Sequence, residues 1–125
     1  VIFNIYASPT DYKMIRYGLA TSLLADGYYC PLSLTMASLW IDEFNAQIGK
    51  PLDAPVKAAN SSGLWVRKYE NGMTLVNPSK TATVTYSVGS GYKRFVGTQD
   101  PAVNNGQAVT TVTMGPREGL ILMKQ

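Results

Sequence analysis

Residues able to do chemistry concentrate at one place in this sequence: the acidic pair Asp42-Glu43, bracketed by Trp40 and Phe44. If the chain does chemistry alone, carboxylates must carry it, because there is no histidine. That absence removes imidazole general bases, Ser-His-Asp and Cys-His triads, and most zinc sites. The one cysteine, Cys30, has Tyr28, Tyr29 and Leu32 for neighbours. This setting reads as a buried strand, with the thiol a small hydrophobe rather than a nucleophile. Neighbouring side chains point in different directions on a strand or a helix, so Asp42 and Glu43 do not by themselves make an acid–base pair. One of them supplies at best a substrate hydrogen bond or a supporting charge. Trp40, Tyr28 and Tyr29 offer faces on which a ring-shaped ligand could stack, with core packing as the alternative use of each. The remaining acids, Asp11, Asp26, Asp53, Glu70, Asp100 and Glu118, lie mostly beside turns or caps. No phosphate loop, metal-ligand cluster or cofactor fingerprint is present, so neither a cofactor nor a metal is expected.

The elements that must position these residues change character along the chain. "VIFNIYA" reads as a buried strand. Ser8, Thr10 and Asp11 are helix-cap candidates, and Ile15, Leu19, Ala20, Leu23 and Leu24 mark one face of a helix from Tyr12 to Ala25. Asp26-Gly27 ends it, with Gly27 placed for a left-handed conformation. "YYCPLSL" follows as a second strand, broken by Pro31. Strand, helix, strand is the grammar of a parallel crossover. "MASLWIDEFNAQIGKPLDAP" suits a short helix or an irregular loop, with Leu39, Trp40, Phe44 and Ile48 as its apolar positions, and "VKAANSSG" is the best domain boundary.

Beyond Gly63 the pattern is β. "LWVRKYE" ends at the turn Asn71-Gly72, a hairpin signal. "MTLVN", "TATVTYSV", "YKRFVG", "AVTTVTM" and "GLILMK" follow, with Gly89 to Gly91 read as a turn between the second and third of these runs. Short strands with turns about every ten residues indicate an antiparallel sandwich or barrel-like module. The fold class expected is α+β, with residues 1–58 as one unit and residues 59–125 as a β-sandwich.

Bulk properties narrow the function classes. At 125 residues the length suits one domain. Charged residues make up 15%, below the usual ~25%, so polar uncharged side chains carry the surface, as suits secreted and carbohydrate-facing proteins. The Lys and Arg residues are scattered and form no basic run, which argues against nucleic acid. No run approaches the ~20 apolar residues of a membrane span. A parallel sheet is normally covered on both faces, and two strands with one helix cannot provide that. The opening apolar run, with no lead-in, therefore reads as the end of something larger or as a processed piece.

Four stretches in order, "RYGLATSLLADGYYC", "LWIDEFNAQIGKPL", "WVRKYENGMTLVNPS" and "VTMGPREGLIL", resemble the C-terminal end of glycoside hydrolases of (β/α)8-barrel type, in which a small β-sandwich follows the last barrel elements. The resemblance covers nearly the whole chain. It implies that "GYYC" is the last barrel strand and that the segment after it lies on the catalytic face. The acidic-aromatic segment matches at Glu43 and Phe44, so Glu43 is preferred to Asp42 as a catalytic carboxylate. The alternative for Glu43 is a salt bridge or a helix-capping carboxylate at the rim. Trp40, Tyr28 and Tyr29 are the substrate-binding candidates, and Arg67 could reach Glu70 or the barrel. The implied partners are a polysaccharide or glycan and the missing N-terminal barrel portion, in a secreted or extracellular setting. Such a piece alone should be inactive, because the catalytic pair would lie upstream. A rival reading is a non-catalytic structural or glycan-receptor-binding component of an extracellular or phage tail assembly, homo-oligomeric or larger, on a virion surface. A free-standing carbohydrate-binding module is weakened by the β half offering only Tyr86 and Tyr92 after Gly72 as stacking tyrosines.

Overall fold

A computed structural model describes residues 1–59 and 63–125. Part of the "VKAANSSG" boundary, residues 60–62, lies outside the described residues. The fold is α+β and rich in strand. Strand β1 (Ile2–Tyr6) and strand β2 (Tyr28–Leu32) pair in parallel, Ile2 opposite Tyr28 and Tyr6 opposite Leu32. Helix α1 (Tyr12–Leu24) connects them. Neither strand is as buried as its apolar content suggests. Exposed and half-buried residues alternate along β1, and Cys30 in β2 is half-buried, because α1 covers one face only. Pro31 does not break β2. Its carbonyl accepts from the Leu39 N–H, so its missing donor lies on the side turned away from β1 and no ladder bond is lost.

Asp11 caps α1, its Oδ1 accepting from the Met14 N–H at 3.1 Å. At the other end the Gly27 N–H reaches the Ser22 carbonyl, and the left-handed residue is Asp26, at φ 53°, rather than Gly27. An aspartate at that position is held by Arg67, which donates to both its carboxylate oxygens, at 2.7 and 3.0 Å. The same guanidinium reaches the Leu23 and Leu24 carbonyls, so it satisfies the helix end that capping alone would leave open. Arg67 thus reaches α1 instead of Glu70.

After β2 the chain makes a single 3-10 turn, Asp42–Asn45. Six strands then form one antiparallel sheet among the described residues, in the order β3-β4-β5-β8-β6-β7. They are β3 (Val56–Lys57), β4 (Trp65–Tyr69), β5 (Gly72–Asn77), β6 (Val84–Arg94), β7 (Ala108–Met114) and β8 (Glu118–Lys124). Strand β3 lies ahead of the expected boundary yet already pairs with β4. The first hairpin turns one residue earlier than expected: Tyr69 pairs with Gly72, so Glu70-Asn71 is the loop and Gly72 opens β5. Nor is Gly89 to Gly91 a reversal. It is a bulge inside β6, where the register with β7 shifts between Ser87 and Tyr92 and both glycines take positive φ, 80° and 87°.

The bulge shapes the sheet. Beyond it, Tyr92 to Arg94 pair with β8. Before it, Val84 to Ser87 pair only with β7. The early part of β6 is thereby free to fold with β7 across the face of β4, β5 and β8. There Val84, Val88, Val112 and Met114 share a core with Leu64, Val66, Met73, Leu75, Leu120 and Leu122. Asn77 fastens this fold: its Nδ2 donates to the carbonyls of Ala82, Met114 and Gly115. The opposite face of the sheet carries Tyr69 and Ile121, which join Ile15 and Leu19 of α1 in a second core with Leu39, Ile41 and Ile48. Gly119 permits this contact, since a Cβ there would stand 2.7 Å from that of Ala20 and 2.9 Å from the Arg16 carbonyl oxygen.

Candidate functional site

The C-terminal ends of β1 and β2 open into a groove of about 690 Å³. Crevices outside the carboxyl ends of parallel strands are where α/β folds place ligands. Ala7 and Ser8 come from the end of β1, and Ser33 and Thr35 from the end of β2. Trp40 forms part of the wall and is 51% exposed. Gln99, from the loop between β6 and β7, closes the far side. Ser33 shapes the loop after β2: its hydroxyl accepts from the N–H groups of Thr35 and Ala37.

Asp42 and Gln99 hold each other reciprocally. The Asp42 N–H donates to Gln99 Oε1 at 2.7 Å. In return Asp42 Oδ2 accepts from the N–H groups of Thr98, at 2.7 Å, and Gln99, at 2.9 Å. Gln99 Nε2 also lies 3.4 Å from the Trp40 carbonyl oxygen, as donor. The N–H groups of Gln99 and Thr98 hold the Asp42 carboxyl below its ordinary pKa of 3.8. This carboxylate serves the backbone of the β-rich half.

Glu43 turns the other way, into the interior, where it is 4% exposed. Its Oε1 accepts from Arg16 Nε at 2.5 Å and from Asn104 Nδ2 at 2.7 Å. Arg16 Nη2 donates to Asp100 Oδ2 at 2.6 Å. A helix residue, the 3-10 turn and the β6–β7 loop thus meet at one buried ion cluster. Burial works against the Arg16 charge, but the bonds to Glu43 and Asp100 outweigh it and raise its pKa. Sequence reasoning passed over Arg16 and Asn104. The signal available was an arginine about one turn from the apolar stripe, three residues before Leu19 and four before Ala20. A charge on a buried face implies a buried partner.

The aromatic candidates separate. Trp40 lies in the groove, its ring edge-on to Phe44 with centroids 6.5 Å apart. Tyr29 is turned toward α1: its hydroxyl donates to the Ile15 carbonyl at 2.7 Å, its ring meets Phe44, and burial pushes its pKa up. Tyr28 sits at the start of β2, 80% exposed, at the end of the strand away from the groove. Trp40 and Asp42 are therefore brought together with Gln99, while Glu43 and Tyr29 line a separate cavity of about 300 Å³ with Phe44, and Tyr28 lies apart from both. Among the described residues no group of histidine, cysteine and acidic side chains could hold a metal ion, and no helix is long and apolar enough to cross a membrane.

Comparison with known proteins places this sequence in a family. The family described as hypothetical glycosyl hydrolase family 15 matches residues 4–73, from β1 to the first hairpin. A curated protein of Oryza sativa subsp. japonica, NAC domain-containing protein 58, is 30% identical over 122 residues, covering 93% of this chain. The chain spans 27% of that relative's length. No solved structure matches. Because the family match takes in more than half of the 125 residues, the chain belongs to hypothetical glycosyl hydrolase family 15.

Proposed function

We propose that this chain is the closing segment of a glycan-directed hydrolase. In this reading β1, α1 and β2 are the last elements of a (β/α)8 barrel, and the six-stranded sheet is an accessory module that buttresses α1. The observation that carries the reading is the bare face of the parallel pair. On it Ile2 is 68% exposed, Tyr6 53% and Tyr28 80%, with Asn4, Cys30 and Leu32 between them by strand alternation. Parallel strands are ordinarily buried on both faces. A barrel puts helices outside and these alternate side chains inside, so further strands would cover them. Catalysis on a glycoside usually takes two carboxylates ~5–9.5 Å apart across the bond. Asp42 and Glu43 are engaged in opposite directions, so the reacting pair comes from the other strands, and Glu43 serves the buried Arg16 and Asn104 instead.

Reducing-end release from a panel of neutral polysaccharides tests this, comparing the 125-residue chain with a longer polypeptide that contains it. The longer polypeptide should turn over at least one substrate and the chain alone none. Turnover by the chain alone would overturn the proposal. A second reading, glycan holding without cleavage, is favoured by the groove having no acidic side chain among its described lining residues. It predicts a longer polypeptide that binds glycan but releases no reducing ends.

A further inference from the structure

We infer that the groove beyond β1 and β2 seats one ring of a neutral saccharide on the indole of Trp40, and that the β-rich half sets this platform through the Asp42–Gln99 clasp. The inference rests on the glycan-directed reading of the preceding section and adds a site and a positioning device to it.

The ligand class follows from the lining. An aromatic ring half exposed at a groove wall offers a flat apolar face to the C–H side of a pyranose. The lining also includes Ser8, Thr35 and Ser38, whose hydroxyls can both donate and accept and so match sugar hydroxyls; those of Ser8 and Thr35 each share one hydrogen bond, with Thr10 and Ser33. No charged side chain is among the described lining residues, so phosphate, carboxylate or ammonium ligands find no counter-charge there. A pocket of about 690 Å³ is in the range that takes a small ligand.

The positioning device follows from the bonds. Trp40 precedes the 3-10 turn and has no strand to hold it. Its carbonyl and the next-but-one N–H, that of Asp42, are instead both engaged by the Gln99 side chain. Gln99 is fixed in turn by Asp42 Oδ2. Edge contact with Phe44 fixes the ring itself. The loop that carries Gln99 is pinned independently: the Gly97 N–H donates to the Asn104 carbonyl, and Asn104 is locked to Glu43. Loss of Gln99 or Asp42 therefore loosens Trp40 without removing it.

Titration of the 125-residue chain with neutral hexasaccharides of glucose, mannose and N-acetylglucosamine, read at the indole N–H resonances, tests both parts. Trp65 supplies the internal reference, because it lies in β4 against Lys57 rather than in the groove. Both resonances should be dispersed before titration, which establishes folding. At least one sugar should then shift the Trp40 resonance and leave that of Trp65 in place. Trp40→Ala should weaken binding at least tenfold. Gln99→Ala and Asp42→Ala should weaken it several-fold and broaden the Trp40 resonance in the free protein. The saccharide site is overturned if no sugar moves the Trp40 resonance at millimolar concentration, or if Trp40→Ala binds as the parent does. The clasp is overturned if Gln99→Ala changes neither affinity nor line width. Binding here without turnover by the longer polypeptide would sink the hydrolase reading alone. Turnover there without binding here would sink this inference alone.

Discussion

The two sheets of this molecule are built to different standards of closure. The antiparallel sheet has a core on each face: β6 and β7 fold over one, and α1 covers the other. Strand β5 is buried throughout, and β8 is buried from Gly119 to Leu122. The parallel sheet has α1 on one face and, among the described residues, nothing on the other, where Ile2, Tyr6 and Tyr28 stand exposed. One helix thus serves both sheets, and the difference between them lies in what meets their outer faces. A sheet covered on one side only keeps an apolar face bare, at a cost in solvent contact that a partner would remove.

The most severe way to break this arrangement is at the ion cluster that joins the halves. Arg16→Met should cost about 3–5 kcal/mol in urea unfolding, because Glu43 and Asp100 keep their charges without the guanidinium. Adding Glu43→Gln and Asp100→Asn should recover part of that loss, which separates stranded charge from lost packing. The next effect contrasts the two sheets directly. Leu122→Ala, in the closed core and fully buried, should cost about 2–5 kcal/mol, whereas Ile2→Ala on the bare face should stay within about 0.5 kcal/mol. Equal losses at these positions would mean that the parallel face is covered in solution. Gly119→Ala should cost about 1–3 kcal/mol by forcing α1 away from β8, measurable as a lower denaturation midpoint.

The smallest effect is a dependence on pH. The folded-state pKa of Asp42 lies below its ordinary 3.8. Its contribution is therefore present above the unfolded value and lost as pH falls through the folded one. The difference in thermal midpoint between the parent and Asp42→Asn should be seen at neutral pH and should close below about pH 3.8. A difference that persists at lower pH would mean that the carboxylate charge is not what holds Thr98 and Gln99.

Much of the local structure was legible in advance. The helix face at Ile15, Leu19 and Ala20, the strands from "LWVRKYE" to "GLILMK" and the parallel crossover all follow from spacing and propensity. The misreadings share a cause. Gly89 to Gly91 looks like a reversal because glycine allows one, but whether a flexible point turns or bulges depends on the strand beside it, here β7 on one side and β8 beyond. Asp26 took the left-handed position expected of Gly27 because Arg67, distant in sequence, offsets its strain. At the site, Trp40 and Asp42 were visible as types, while Gln99, Asn104 and Asp100 were not. They lie some sixty residues away in a loop whose composition announces only a turn.

Sequence alone determined the main kinds of element, their order, and the absence of any imidazole, because those depend on side-chain type and on spacing within a few residues. Only the tertiary structure decided that adjacent Asp42 and Glu43 part company, one to the backbone of Thr98 and Gln99 and one to a buried arginine. The reason is physical: a charge goes where its partners are, and those partners, Gln99 and Arg16, are brought to it by the docking of α1 against the antiparallel sheet.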